Sequence, residues 1–184
     1  MPMPERLRQL EKQFYDLAQE IFAERAKYEP DSVLDYSFLS GEGPVKLSDL
    51  FGDKDELIVS HNMGEFCSYC TMWADCLEGS RKHLETRCAL VMVTSDPPEV
   101  FQRNAAERGW TYRILQDESK EFTAAMGFWN EEQGWGPGVS TFRKNPDGSV
   151  VRTGWTEYGP GDAFCPPWHY FSLLGITEDD WSPK

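Results

Sequence analysis

Three short runs of aliphatic and β-branched residues, Leu57-Ile58-Val59-Ser60-His61, Ala89-Leu90-Val91-Met92-Val93-Thr94 and Tyr112-Arg113-Ile114-Leu115, are each followed by a stretch compatible with a helix. Apolar runs of this length read as buried strands. Strands that alternate with helices belong to one sheet with parallel pairs, because a parallel pair needs a long crossover connection. The intervening helices are expected from Cys67 to about Leu84, from Asp96-Pro97-Pro98-Glu99 to Gly109, and from Ser119 to Met126, where Gly127 ends it. Proline suits a helix's first turn, and glycine accepts the left-handed backbone that closes one. The fold class is therefore α/β.

Two hairpins flank this unit. Tyr36-Ser37-Phe38 and Val45-Lys46-Leu47 are joined by Gly41-Glu42-Gly43-Pro44, while Val139 to Arg143 and Ser149 to Thr153 are joined by Asn145-Pro146-Asp147-Gly148. Proline fixes φ in such turns and glycine supplies positive φ. Ser48 starts a short helix that Gly52 stops, and Pro166-Pro167-Trp168 opens a last helix through Leu174, stopped by Gly175. Phe128 to Gly138, rich in Trp, Gly and Glu without a clear period, is expected to be a loop. Residues 5–27 place Leu7, Leu10, Phe14, Leu17 and Ile21 at steps of three and four, an amphipathic helix. Its stripe covers either the domain itself or a second copy of the chain, so a homodimer stays open. The expected division is residues 1–30 as a helical extension and 31–184 as one domain.

The chemistry centres on cysteine. Cys67 and Cys70 fall where a buried strand gives way to a helix. Unpaired N–H groups and the helix dipole there stabilise a thiolate, lowering a cysteine pKa from about 8.5 to about 7 or below. Three-residue spacing stacks Cys70 under Cys67, close enough to attack a mixed disulfide formed on it. Cys67 is thus the expected nucleophile and Cys70 the resolving thiol of a thiol–disulfide oxidoreductase, which needs no cofactor. Glu65, two residues before Cys67, is an inert exposed loop carboxylate, handles a proton, or opposes the thiolate by like charge. Tyr69 either presents a hydroxyl to the sulfurs or packs at the surface.

Cys76 and Cys88 read as buried small hydrophobes. Cys165 and His169, four residues apart at a helix start, open an alternative in which Cys67, Cys70, Cys165 and His169 bind zinc. His61 and His83 read as structural. Two functional alternatives stand beside the oxidoreductase. One is a thiol peroxidase in which Cys67 becomes a sulfenic acid. The other is a non-enzymatic, zinc-bound or vestigial binding module that uses Trp129 and Trp135 as a contact surface.

A formal net charge of −13 argues against nucleic acid or an anionic membrane as partner, since both need a cationic patch. The expected partners are a thiol or disulfide protein or small molecule, together with a reductant. Five cysteines, an odd number without a secretory signal's apolar core and cleavage site, suit redox or metal chemistry better than a disulfide framework. The expected location is the cytoplasm.

Tyr36-Ser37-Phe38, Gly43 to Leu47, Leu50-Phe51-Gly52, Leu57 to Met63 and Cys67-Ser68-Tyr69-Cys70 with Trp73-Ala74-Asp75 are similar to the opening of thioredoxin-like proteins of the peroxiredoxin and thiol-reductase type. Over residues 6–176 the chain most resembles the bacterial thioredoxin-like family catalogued as domain of unknown function eight-nine-nine, including its aromatic ending, here Trp168-His169-Tyr170-Phe171. The resemblance implies a three-layer thioredoxin-like fold with an added N-terminal helix, and a redox role. A peroxiredoxin site resembles Pro-x-x-x-Thr-x-x-Cys, but Met63 and Gly64 precede Cys67, and Phe66 and Cys67 precede Cys70, so the Pro and Thr are missing. That departure demotes peroxide reduction. The cis-proline of thioredoxins corresponds to a position at or near Val139, with Pro137 two residues earlier, so it is either displaced or absent.

Overall fold

The computed structural model describes residues 2–177 and 179–184. The elements in chain order are α1 (Glu5–Arg25), β1 (Asp31–Val33), β2 (Ser37–Ser40), β3 (Gly43–Lys46), a 3-10 turn (Leu47–Asp49), β4 (Glu56–Asn62), α2 (Ser68–Leu84) and β5 (Ala89–Thr94). There follow α3 (Pro98–Arg108), β6 (Arg113–Gln116), α4 (Glu121–Ala125), β7 (Trp129–Asn130), β8 (Gly134–Trp135), β9 (Gly138–Lys144), β10 (Val150–Glu157) and α5 (Pro166–Leu173). By its internal contacts the chain divides into Met1–Pro30 and Asp31–Lys184. In the first unit α1 contains no buried residue, and Leu7, Leu10, Phe14, Leu17 and Ile21 are exposed. No helix among the described residues is long and apolar enough to cross a membrane.

In the second unit one sheet runs in the order β1-β10-β9-β4-β5-β6-β2-β3. The strand–helix alternation gives its centre: β4, β5 and β6 are parallel, in register from Leu57 opposite Ala89 and Val91 opposite Arg113. β9 joins β4 antiparallel, bringing Gly138 opposite His61.

Side chains alternate across a strand, and both faces of this sheet are covered. Leu57, Val59, Val91, Val93 and Leu115 enter one core with Phe122 of α4, Phe38 and Phe142. Leu90, Met92 and Ile114 enter the other with Ala74 of α2 and Phe101 of α3. Helices on both sides of a sheet make the three-layer α/β arrangement expected. Gly109 ends α3 at φ 74°, the left-handed conformation expected of a closing glycine.

Two elements depart from expectation. The 128–138 segment is not wholly irregular, because β7 and β8 pair with Trp129 opposite Trp135. The expected Ser149–Thr153 strand continues to Glu157 after an irregularity between Arg152 and Gly154. Its start is paired to β1, an edge strand too short to leave a periodic signal.

Candidate active site: the Cys67 and Cys70 dithiol

The loop that leads to Cys67 is fastened from both ends. At the end of β4, the Asn62 side chain accepts from Gly64 N at 2.8 Å and donates to the Cys70 carbonyl at 3.4 Å. Ser95 Oγ donates to the Met63 carbonyl at 2.6 Å, and Glu65 N donates to Asp96 Oδ2 at 2.8 Å. Gly64 sits at φ 118°, and a Cβ there would lie 2.7 Å from both Asp96 Oδ1 and Ser95 Oγ. Only glycine fits both the backbone and the space. Its carbonyl accepts from Cys67 N at 3.1 Å.

Cys67 is the N-cap of α2, with extended φ −98° and ψ 99°, and its sulfur accepts from Cys70 N at 3.2 Å. It therefore takes the capping place usually held by a Ser, Thr or Asp oxygen, satisfying a first-turn N–H. Cys67 is half-buried, whereas Cys70 is only 2% exposed.

The two thiols are driven apart in acidity. Hydrogen bonding from the Cys70 thiol, supported by the N–H groups of Cys70 and Tyr69, outweighs burial and lowers the Cys67 pKa to about 6. The Cys70 pKa is raised, first because its thiol proton is held by Cys67 and then by burial. The pair is thus biased toward a thiolate at the accessible sulfur and a proton at the buried one.

The neighbours wall the site. Glu65 pairs with Arg103. Tyr69 stacks on Trp168 of α5 with ring centroids 5.9 Å apart. Met72 and Trp73 are buried, and Trp73 Nε1 donates to Asp162 at 2.9 Å.

The sequence profile of the family described as "Bacterial protein of unknown function (DUF899)" matches residues 4–178. The chain belongs to this family. No curated protein matches the chain in sequence. Among solved structures it is similar to the peroxidoxin BcpB from Mycobacterium tuberculosis, with TM-score 0.59 and 21% identity over 83% of this chain and 97% of that one. It is also similar to a mutant of PrxQ from Xylella fastidiosa, with TM-score 0.60 and 14% identity over 81% and 98%. For AhpC from Enterococcus faecalis the TM-score is 0.58, with 16% identity over 84% and 98%. At such identities the likeness establishes a shared thioredoxin-like fold of the peroxiredoxin type.

In this DUF899 member the zinc alternative is not assembled. Cys165 occupies the N-cap position of α5 without a side-chain capping bond, its sulfur 3.5 Å from that of Cys76, while the exposed His169 ring lies 3.2 Å from the Asp162 carbonyl. Cys165 faces Cys76, and no cluster of three or more His, Cys, Asp or Glu among the described residues can hold a metal. The described residues contain no cis peptide bond. Pro137 precedes β9, with its carbonyl accepting from Tyr158 N at 3.0 Å.

No local sequence pattern marks a buried polar network behind the Cys67 loop. His61 Nε2 lies 2.9 Å from Ser140 Oγ, which also accepts from Arg152 at 3.0 Å. Arg152 donates as well to the Met126 carbonyl at 2.9 Å. The His61 ring stacks on Phe128 at 4.1 Å. Burial, then the Arg152 charge, push its pKa well below the ordinary value, so the ring is neutral. A strand-end histidine carries no signal of such partners, since Ser140 is 79 residues away in sequence. Cys88 is buried as expected, with its thiol donating to the Leu84 carbonyl at 3.3 Å.

Proposed function

We propose that the protein is a thiol–disulfide oxidoreductase whose redox centre is Cys67 and Cys70. The observation that carries this is the division of labour in the pair: a half-exposed Cys67 at a helix N-cap, its sulfur accepting from Cys70 N, beside a buried Cys70, an arrangement that lowers the Cys67 pKa and raises that of Cys70. The thiolate is the reactive form.

Cys67 attacks one sulfur of a substrate disulfide, forming a mixed disulfide and expelling the first substrate thiolate, which takes a proton from solvent. Bonding at Cys67 removes the negative charge that held the Cys70 proton. Cys70 then loses that proton to solvent and attacks the Cys67 sulfur, expelling the second substrate thiolate. The substrate gains two electrons and the protein carries a Cys67–Cys70 disulfide, which an external thiol reductant reopens by the reverse exchange. The substrate is a disulfide of a protein or small molecule.

Mixing reduced Cys70→Ser with glutathione disulfide tests the assignment. The expected product is a stable glutathione adduct on Cys67, while the wild type passes through it to the internal disulfide. An adduct found on Cys70 or on no active-loop cysteine in the corresponding single-serine variants contradicts it.

A second reading is peroxide reduction, favoured by the peroxiredoxin fold of the neighbours. There Cys67 attacks a peroxide oxygen, the O–O bond breaks and the leaving oxygen takes a proton. The resulting sulfenic acid condenses with Cys70, releasing water and giving the same disulfide. Stopped-flow peroxide consumption no faster than that of free cysteine removes this reading.

A further inference from the structure

α2 carries a third cysteine that the Cys67 and Cys70 chemistry does not use. Cys76 is half-buried, and its sulfur lies 3.5 Å from that of Cys165, a residue 89 positions away in sequence and fully buried. Sulfurs at this distance need to approach by only about 1.5 Å to reach the 2.03–2.05 Å of a bond. The surroundings hold the two elements together on either side of the contact. Trp73 Nε1 donates to Asp162, whose carboxylate also accepts from Gly159 N at 3.0 Å and Phe164 N at 2.7 Å. Beyond Cys165, Trp168 stacks on Tyr69, and Trp73, Cys76, Cys165, Trp168 and Tyr69 share one apolar cluster with Cys67 and Cys70.

We propose that Cys76 and Cys165 are a second dithiol/disulfide site, closed by disulfide oxidants of the glutathione type, which clamps α5 onto α2. The pair repeats the asymmetry of the first site: an accessible thiol whose pKa is lowered by hydrogen bonding from its partner, and a buried partner whose pKa is raised. Cys76 as thiolate attacks one sulfur of the oxidant and expels the first oxidant thiolate. Cys165 gives up its proton to solvent, attacks the Cys76 sulfur and expels the second oxidant thiolate. Two electrons leave the protein and two thiols of the reduced oxidant are formed. Because Trp168 covers Tyr69, closing this bond fixes one wall of the Cys67 site without consuming either of its thiols.

The site is independent of the proposed activity, and its test removes the first pair. The full chain carrying Cys67→Ser and Cys70→Ser is equilibrated in mixtures of reduced and oxidised glutathione, quenched by alkylation and mapped by mass. The expected result is a linked Cys76 and Cys165 peptide pair, with amide exchange in 166–173 slowed by about tenfold on oxidation, since the bond suppresses local opening. Alkylation of both cysteines in every mixture, or a glutathione adduct on Cys76 that Cys165 never displaces, overturns the proposal. Wild type mapped in parallel decides the matter in the same way if the double variant fails to fold, because cleavage before Asp75 puts Cys76 on a different peptide from Cys67 and Cys70.

Discussion

Replacing Cys70 with alanine tests how the Cys67 thiolate is stabilised. Cys67 titrates at about 6, against about 8.5 for an ordinary cysteine, a difference of about 3.4 kcal/mol at about 1.36 kcal/mol per pH unit. Cys67 is half-exposed, so solvent screening reduces the usable part to the order of 2 kcal/mol. The Cys70 thiol is the largest contributor, ahead of the N–H groups of Cys70 and Tyr69, and those N–H groups survive the substitution. Cys70→Ala is therefore expected to move the half-titration point from about 6 to above about 7. At pH 6 the thiolate fraction then falls from about one half to below about one tenth. Alkylation rate is a blunt ruler here, because a less acidic thiolate is intrinsically more nucleophilic. Thiolate ultraviolet absorbance, taken as the difference from Cys67→Ser, reads the proton directly. A half-titration point that stays near 6 in Cys70→Ala, or one near 8.5 in the wild type, refutes the reasoning.

Further outcomes follow from the same contacts. The Cys67 pKa is lower in the folded than in the unfolded chain, so its contribution to stability is present above about 8.5 and is lost as pH falls through about 6. Under reducing conditions, the denaturation free-energy difference between wild type and Cys67→Ser should therefore grow across that window, and a flat difference contradicts it. His61 is depressed in the same sense. Its neutral form stabilises above the unfolded value of about 6.5 and that contribution is lost at lower pH, so His61→Phe should flatten the acid limb of the stability profile. Phe122 is fully buried with its ring 4.9 Å from Phe38 and 5.5 Å from Tyr36. Phe122→Ala should cost about 3–5 kcal/mol in urea denaturation. Gly64→Ala meets Asp96 and Ser95 at 2.7 Å and should slow disulfide exchange at Cys67 while leaving the helical circular dichroism signal intact.

The parallel centre was legible because local pattern decides it. Ala89–Thr94 is the observed β5, and proline and glycine bound α3 where the backbone needs them. Cys67 and Cys70 were legible for the same reason: strand, loop and helix start lie within a dozen residues, so the helix cap is a local fact. The sequence places Cys76 among small core residues, because helical phase indicates a face and not a partner. Its partner Cys165 comes from the start of α5, and only tertiary packing joins them. Arg152 gave no signal at all, since its burial depends on the Met126 carbonyl and Ser140 arriving from two other parts of the chain.

The most direct test of the proposed Cys67 and Cys70 redox centre is an equilibrium redox titration of the wild-type chain with mass identification of the paired sulfurs. The predicted result is a reversible Cys67–Cys70 disulfide with a potential between about −120 and −270 mV, the span of catalytic dithiols. A chain in which these two sulfurs never pair across that span contradicts it.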